Sequence, residues 1–402
     1  MRMSTSMAFE TGGAGIAKQQ YELLQTQQQM ASGRRINTAS DDPIAAARIV
    51  DIESAQGLNQ RYLANQTSAR NDISVTESNL GQATSILQDI RTLLVQAGDG
   101  AYGDQDRADV AKEIEVRKNE LMALANSKDA NGRYVFSGFQ ENTPAFVQTA
   151  AGVVFQGDEG RRSVQVANGR TLNTSLSASG VFDRVPTGNG VFTTAAPVAN
   201  TGSAMISVGT VANAPALDGH SYSLSFHVAA GVTTYDILDN TASTTVSAGN
   251  AYVDGASITV AGMQAEVSGA PANADQFTLA PSTNQNIFDG INAAVARLRT
   301  SAGTAAPRAQ LGMGLAEALA HVDRTLDQVS QARTETGVAL SDLDQLESSA
   351  TGLDTGYQQQ MSQLRDLDYT KAVSDLMRQQ TSLQASQQAF AKVMGHSLFD
   401  YL

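Results

Sequence analysis

Apolar residues recur at alternating steps of three and four over long stretches near both ends of the chain. Near the N-terminal end, the stripe contains Ile73, Leu80, Leu87 and Leu94, with Ala83 and Ile90 interleaved. Near the C-terminal end, a stripe with the same spacing contains Tyr369, Val373, Leu376, Gln380, Leu383, Gln387, Phe390 and Met394. Two of its positions are glutamine, and the others are apolar. This spacing predicts helices with one apolar face each. Because an isolated amphipathic helix is marginal in water, each needs a partner helix from this chain or from another copy.

Other stripes predict further helices on both sides. One contains Val110, Ile114, Leu121 and Leu124, and another contains Leu315, Leu319, Val322, Leu326, Val329, Leu340, Leu343 and Leu346. Gly98, Gly100 and Gly103 interrupt the N-terminal helical pattern. We therefore expect the helices on either side of these glycines to fold back on each other as a hairpin.

The middle of the chain has the composition of β structure, being rich in Gly, Thr, Ser and Val. Alternating polar and apolar residues predict strands at 222–228, 233–238 and 256–262. Turn pairs punctuate this region, at Asp218 with Gly219, Asp254 with Gly255, and Asn168 with Gly169. Ahead of it, Tyr134, Val135 and Phe136 are expected to form one strand of a hairpin that Asn131 and Gly132 open.

These patterns predict an α+β protein. Both chain termini form a long antiparallel helical rod or coiled-coil bundle, and an antiparallel β domain is inserted between them. The predicted domains are residues 1–40 with 362–402, a terminal helical domain; 41–139 with 287–361, a helical rod; and 140–286, a β-rich domain.

Composition excludes several classes of protein. A net charge of −13 argues against binding to nucleic acid or to an anionic membrane surface. The absence of cysteine removes disulfides, thiol catalysis and thiolate metal sites. The first residues do not resemble a cleavable signal peptide, and no window approaches the roughly 20 apolar residues of a membrane span.

A search for chemistry predicts no catalytic, cofactor-binding or metal site. His220 and His227 flank a predicted strand at odd separation, so they would point to opposite faces. His321 and His396 have no partner at metal-ligand spacing. The glycine runs lack the spacing of a phosphate loop. Acidic clusters such as Asp104, Asp106 and Asp109 lack the glycine and glutamate of a calcium-binding loop and are interpreted as solvated helix faces.

The segment ASGRRINTASDDPIAAARI contains the signals for a joint between two helices. Gly33 is suited to the end of the first helix, with Arg34 and Arg35 facing its negative pole. Asp42 is suited to cap the second helix, with Pro43 in its first turn. Two charges of each sign exceed what capping requires. We hypothesise that the spare charges of Arg34, Arg35, Asp41 and Asp42 pair between neighbouring subunits.

The chain ends in SLFDYL, which is unusually apolar for a terminus. Exposed Leu398 and Phe399 would be a liability, so these residues are expected either to enter a subunit interface or to dock on the chain's own helices.

ASGRRINTASDDPIAAARI resembles the N-terminal signature of bacterial flagellins and their relatives, a Ser-Gly-x-Arg-Ile-Asn run followed by Asp-Asp. Pro43 with the following Ile-Ala-Ala-Ala-Arg, the segment NGRYVFSGFQENTPAF and the C-terminal QQTSLQASQQAFAKVMGHSLFDYL are more similar to the hook–filament junction branch of that family than to filament subunits. The resemblance covers residues 1–146 and 287–402.

The resemblance implies an extracellular structural role in the bacterial flagellum and no enzymatic activity. The terminal helices would line an inner tube, the rod would surround them, and the β domain would face outward. Implied partners are other copies in a ring, a neighbouring hook-associated protein, flagellin, and an export chaperone during type III export without a cleaved signal peptide. A filament subunit is the alternative. A secreted carbohydrate-binding or hydrolytic protein is disfavoured, because the β region has only scattered tyrosines.

The candidate residues for a subunit interface come from the joint and from the C-terminal helix. They are Arg34, Arg35, Asp41, Asp42, Tyr369, Val373, Leu376, Leu383, Phe390, Met394, Leu398 and Phe399.

Overall fold

A computed structural model of the chain describes residues 5–395. The chain forms two compact units. The terminal unit contains Met1–Asn65 with Gln345–Leu402, and the central unit contains Gln66–Asp344. The three-domain division predicted above stays a prediction, and these two units have different boundaries from it.

The described residues contain six α-helices, at both ends of the chain as predicted. They are α1 (Thr5–Ser32), α2 (Pro43–Ala97), α3 (Asp104–Ala125), α4 (Ile287–Leu298), α5 (Ala305–Arg365) and α6 (Tyr369–Gly395). The predicted break between α2 and α3 is confirmed, because α2 ends before Gly98 and α3 begins after Gly103. The N–H of Gly103 donates to the carboxylate of Asp106 at 3.0 Å, which fixes the first turn of α3.

The predicted stripe of α2 lies at the centre of the helical core. Ile73, Leu80, Ala83, Leu87, Ile90 and Leu94 are at most 3% exposed. From Leu80 onward, these residues share one buried cluster with apolar residues of α3, α4 and α5, including Ile114, Leu121, Ile291, Leu315 and Val322. Ion pairs Arg91–Asp323 and Arg333–Glu77 join α2 to α5 and show that the two helices run antiparallel.

All strands of the described residues lie within the predicted β region. They are β1 (Phe146–Thr149), β2 (Gly152–Phe155), β3 (Ser163–Ala167), β4 (Arg170–Asn173), β5 (Val185–Pro186), β6 (Phe192–Ala195), β7 (Met205–Ile206), β8 (Thr210–Val211), β9 (Tyr222–Ala229), β10 (Val232–Asp239), β11 (Thr244–Ala251), β12 (Ser257–Val260), β13 (Met263–Ser268), β14 (Gln276–Pro281) and β15 (Asn284–Gln285). Short 3₁₀ turns occur at Ala178–Gly180 and Ala214–Ala216.

The two largest sheets form a sandwich. One has the strand order β11-β10-β9-β14-β6, and the other has the order β12-β13-β7 with β8 also paired to β13. Every pair is antiparallel. The sheets share a second buried cluster, in which Leu224, Phe226 and Phe277 of the first sheet meet Ile258 and Val267 of the second. The three predicted strands correspond to β9, β10 and β12, so they are confirmed, as is the α+β class.

The expected strand at Tyr134–Phe136 is wrong. Its backbone pairs with two separate segments, since Tyr134 N donates to Glu141 O and Val135 N donates to Ser127 O. The Asp129 carboxylate accepts from the N–H groups of Asn131 and Arg133 and so closes a tight turn before this stretch. The apolar run is therefore part of a loop, and the side chains of Val135 and Phe136 enter the helical core.

Replacing Leu87 with Ala tests the central position of the α2 stripe. Leu87 is fully buried in the helical cluster. We expect Leu87→Ala to lower the free energy of unfolding by about 2–5 kcal/mol, because it removes apolar contacts and leaves a cavity. Chemical denaturation followed by circular dichroism measures the loss. Val95→Ala is the matched control, since Val95 lies on the same helix and is exposed. It should change stability by less than about 0.5 kcal/mol, and equal losses in the two variants would contradict this assignment.

Candidate functional site

The terminal unit contains an antiparallel pair of helices, α1 and α6, which we call the terminal pair. The face of α1 toward α6 follows steps of three and four through Gly12, Ile16, Gln19, Leu23, Thr26 and Met30. The matching face of α6 follows the same steps through Ala372, Leu376, Gln379, Leu383, Ser386 and Phe390. Most of these positions are only partly buried, so the pair covers little of its own surface.

The stripe predicted for α6 is divided between two faces. Leu376, Leu383 and Phe390 pack toward α1, whereas Val373 is exposed. The ring of Tyr369 is largely exposed as well, although its hydroxyl donates to the carbonyl of Met30 on α1 at 3.3 Å. Gln380 and Gln387 are exposed as well. The small residues Ala372 and Ser386 take the remaining contact positions. Small side chains let two helices approach closely. The face of α6 that contacts α1 therefore includes these small residues and differs from the predicted apolar stripe of α6.

Phe390 is the central apolar contact of the terminal pair. Its ring lies 5.5 Å from the ring of Phe9, measured between centroids. A Cβ atom on Gly12 would lie 2.8 Å from the Phe390 ring, so the glycine provides the space that the ring occupies. One polar contact follows along the helices, where Gln19 Nε2 donates to Ser382 Oγ at 3.2 Å. The pairing therefore combines one aromatic contact and a few partly buried aliphatic side chains with small and polar residues.

Large apolar side chains remain exposed throughout the terminal unit. They are Met7, Phe9, Tyr21, Leu24, Ile44, Val50, Leu58, Leu353, Tyr369, Val373 and Met377. Among the residues that the structure describes, no residue of the terminal unit belongs to either of the buried apolar clusters. An apolar surface that the chain itself does not cover is typical of an interaction site.

The joint between α1 and α2 is built around Arg35. Helix α1 ends at Ser32, and Gly33 has a φ of +70°, which confirms the predicted helix stop. Arg35 donates from Nη1 to Asp42 at 3.1 Å and from Nη2 to the carbonyl of Leu364 at 2.7 Å. Its backbone N–H donates to the carbonyl of Arg365 at 2.7 Å. Arg35 therefore lies at the C-terminal end of α5 instead of α1, and it ties the joint to that helix.

Asp41 and Asp42 have separate local roles. Asp42 accepts the N–H of Ala45 at 3.0 Å, which confirms the predicted N-cap of α2. Asp41 accepts the N–H groups of Asn37 and Thr38, and its other oxygen accepts Gln25 Nε2. These hydrogen bonds lower the pKa of Asp41, chiefly through the Thr38 and Asn37 N–H groups. The Ala45 N–H and then Arg35 lower the pKa of Asp42.

The charges beyond those that capping requires are therefore largely used within the chain. Among the described residues, the guanidinium of Arg34 forms no ion pair, although its backbone bridges to Asp366. The assignment of the joint residues to an interface between subunits stays a prediction. Of the C-terminal candidates, Leu398 and Phe399 lie outside the described residues, and Met394 lies in α6 with its side chain outside the described ones.

The remaining ionisable groups do not form a metal-binding cluster in residues 5–395, where no three His, Asp or Glu side chains converge. His220 and His227 contact different carboxylates, Asp239 at 2.7 Å and Asp236 at 3.1 Å. Asp239 raises the pKa of His220. None of the described helices combines the length and the apolar character of a membrane span.

Two family models match the helical parts of the chain. The bacterial flagellin N-terminal helical region matches residues 3–141, and the bacterial flagellin C-terminal helical region matches residues 319–402. Together they cover more than half of the sequence. The chain belongs to the flagellin family. The resemblance inferred from the joint and the C-terminal helix is thereby confirmed.

Within the flagellin family, similarity over the whole length is found to hook-associated proteins. The chain is 27% identical over 400 residues to flagellar hook-associated protein 3 of Salmonella typhimurium, covering 99% of each chain. The solved structure of the flagellar junction protein FlgL from Legionella pneumophila has 26% identity and a TM-score of 0.69, covering 74% of this chain and 99% of that one. The filament 41 kDa core protein of Borreliella burgdorferi is 35% identical over 116 residues, 29% of this chain and 34% of that protein.

Replacing Gly12 with Ala tests the contact between Phe390 and α1. We expect Gly12→Ala to displace the Phe390 ring and to speed amide hydrogen exchange in α1 and α6. Gly13→Ala is the matched control, because a Cβ there has no neighbour within 4 Å. It should slow exchange in α1, since Ala favours a helix over Gly by about 1 kcal/mol. Slower exchange in both variants would contradict the close contact at Gly12.

Replacing Asp42 tests the cap of α2. Asp42→Ala should speed hydrogen exchange of the Ala45 amide, because its acceptor is lost, whereas Asp42→Asn keeps an oxygen acceptor and should protect the amide.

The pKa of Asp42 is below its usual 3.8 in the folded chain. The contribution of the ionised cap is therefore present above pH 3.8 and lost as pH falls through the folded-state pKa. Equal protection of Ala45 in both variants would show that the cap does not hold the helix end.

Proposed function

We propose that the chain is a structural subunit of the bacterial flagellum that joins the hook to the filament. The observation that carries this proposal is the extent of the similarity. Relatives named hook-associated protein 3 match the whole length, whereas the filament core protein matches only 116 residues. The filament subunit remains the second candidate, because the family models for the helical regions are those of flagellin.

The terminal unit supports a role in assembly over one in catalysis. Its helices cover each other only partly, and its large apolar side chains face outward. In our proposal, head-to-tail contacts with other copies close a ring and bury these faces. The free energy of that burial offsets the conformational entropy lost when helices of marginal stability become ordered. The activity of the protein is then self-assembly, and it is not an enzyme.

The candidate interface residues divide into two groups under this proposal. Tyr369 and Val373, with Met377 beside them, present apolar surface for a neighbouring copy. Leu376, Leu383 and Phe390 hold α6 against α1 and so shape that surface. Arg34 is the joint charge that is available for a partner, because Arg35, Asp41 and Asp42 have hydrogen bonds within the chain.

The position of the ring determines the other partners. One rim would contact a neighbouring hook-associated protein, and the other rim would contact flagellin. An export chaperone would cover the exposed apolar faces before assembly, since export requires a chain that does not associate early. The location would be the hook–filament junction, outside the cell.

Electron microscopy of purified flagella with a gold-labelled antibody against the sandwich distinguishes the two candidate functions. A junction subunit gives label confined to the hook end of each filament. Label along the whole filament would reject the junction role and favour the filament subunit.

Replacing Phe390 with Asp tests assembly through the terminal pair. We expect the variant to keep a folded central unit, because Phe390 belongs to neither of the two buried apolar clusters of that unit, and to lose filament attachment and motility. Circular dichroism and a swimming assay measure the two outcomes. Val246→Asp is the control, since Val246 is exposed on β11 and receives the same new charge. Normal motility of the Phe390→Asp strain would contradict the assembly proposal.

A further inference from the structure

The chain enters and leaves the sandwich through one pair of short strands. Pro186 and Val185 of β5 pair with Asn284 and Gln285 of β15. Every strand of the two sandwich sheets lies between these two segments in the sequence. We call this pair the neck. Additional hydrogen bonds join the sandwich side to α5, including the one from Arg324 Nη2 to the carbonyl of Asn189 at 2.6 Å.

A buried histidine of α5 holds the neck. His321 is 3% exposed, and its Nε2 lies 3.3 Å from the carbonyl oxygen of Gln285. The ring also has a hydrogen bond to the carbonyl of Val185. One side chain therefore contacts both strands of the neck. Because a carbonyl oxygen only accepts, Nε2, which faces the carbonyl of Gln285, carries the proton in the neutral ring.

The other nitrogen of the same ring, Nδ1, is buried and faces Gly290. Nδ1 of His321 forms no hydrogen bond with any described residue. It lies so close to Gly290 of α4 that a Cβ atom there would be 2.2 Å away. In the neutral ring this nitrogen is an acceptor without a donor, which a buried site tolerates at moderate cost. In the protonated ring it would become a donor that faces a glycine backbone with no acceptor in place.

The charged groups around the ring give little stabilisation to its protonated, cationic form. On α4, the carboxylate of Asp289 accepts hydrogen bonds from the N–H of Val153 and from Asn286 Nδ2. Arg297, on the same helix, borders a cavity beside the His321 ring. On α5, Arg324 lies one turn after His321, and Glu317 lies one turn before it. Among the described residues, Glu317 is the acid that borders the cavity, and it would favour a charged ring, whereas Arg297 and Arg324 oppose it.

The residues before the neck complete the electrostatic surroundings. Arg184 forms an ion pair with Glu159 at 2.5 Å, and Asp183 lies next to it in the chain. Burial is the main cause that lowers the pKa of His321, and the carbonyls of Gln285 and Val185 act in the opposite direction less strongly. Burial also raises the pKa of Asp183, so this acid does not supply a strongly held counter-charge.

A cavity of about 150 Å³ gives the ring room to move. It is bordered by Thr187, Gln285, Gly290, Arg297, Glu317 and His321. A protonated ring can reach Glu317 or water in this space only by turning away from its present position. Such a turn breaks its hydrogen bonds to the two strands of the neck.

We propose that His321 is an acid-sensitive latch that fixes the sandwich to the helices at neutral pH and releases the neck when it is protonated. The latch is closed in the neutral form, in which the ring binds backbone carbonyls of both neck strands and Nδ1 faces Gly290. It opens because the protonated form has a donor and a charge that the closed geometry cannot accommodate.

The direction of the pH effect follows from the lowered pKa. Above the ordinary histidine value of about 6.5, the ring is neutral in both open and closed forms, and the latch is unaffected. Below that value the open form binds a proton more readily than the closed form does. The closed form therefore loses stability as pH falls from about 6.5 toward the lower pKa of the buried ring.

Distance measurements between two spin labels test the latch in the full chain. The sequence has no cysteine, so Val246→Cys on β11 and Gln331→Cys on α5 provide a unique pair of exposed labelling sites. We expect one narrow distance distribution at pH 7.5 and a reversible broadening below about pH 6.5. In a His321→Gln background, which removes the titrating group and keeps a donor, the distribution should stay narrow over the same range. A broadening that persists in that background, or its absence from the chain with His321, would overturn the proposal.

Two further measurements make the assignment specific. His220→Gln with His227→Gln is the matched control, since both residues lie on the sandwich and contact carboxylates. The broadening should survive in this double variant, and its loss would assign the effect to those residues and reject the latch. If His321→Gln does not fold, nuclear magnetic resonance of histidine-labelled protein replaces it. Titration of the His321 ring at the pH of the broadening supports the latch, and titration at a different pH rejects it.

Discussion

The two ends of this chain must pair, because neither end has enough apolar surface on one face to be stable as a lone helix. α1 meets α6 in the terminal unit, and α2 meets α5 along ion pairs and an apolar stripe in the central unit. Once the ends are paired, everything between them is an insertion. The sandwich must therefore leave and return at one place, and the neck formed by β5 and β15 is that place.

The two units satisfy this pairing to different degrees. In the central unit, the α2 stripe is almost completely buried and the sandwich has a separate apolar cluster. In the terminal unit, the contact uses Phe390 and a few partly buried leucines together with small residues and glutamines, and large side chains such as Tyr21 and Met377 face solvent. A unit that buries little of its apolar surface gains stability by binding other chains. This difference links the structure to the proposed role in an assembly.

Much of the fold could be predicted from the sequence, because the signals are local. The helix period marked the α2 stripe, the three glycines marked the break before α3, and Gly33 with Asp42 marked the joint. Strands β9, β10 and β12 followed from their alternation. The apolar run Tyr134–Phe136 predicts a strand but forms a loop, because a buried loop and a buried strand have the same apolar composition. What separates them is the set of backbone partners, Glu141 and Ser127, which no local pattern specifies.

The sequence by itself located the helical ends of the chain, the break before α3, the joint between α1 and α2 and three of the strands, and it placed the chain among the flagellins. The tertiary structure decided which face of α6 packs on α1, since close approach depends on Gly12 and Ala372 as much as on the leucines. It also decided that Arg35 binds the end of α5 and that His321 holds the neck. These contacts join residues far apart in the chain. Their energies depend on distance and burial in three dimensions, so they become visible only when the segments are brought together.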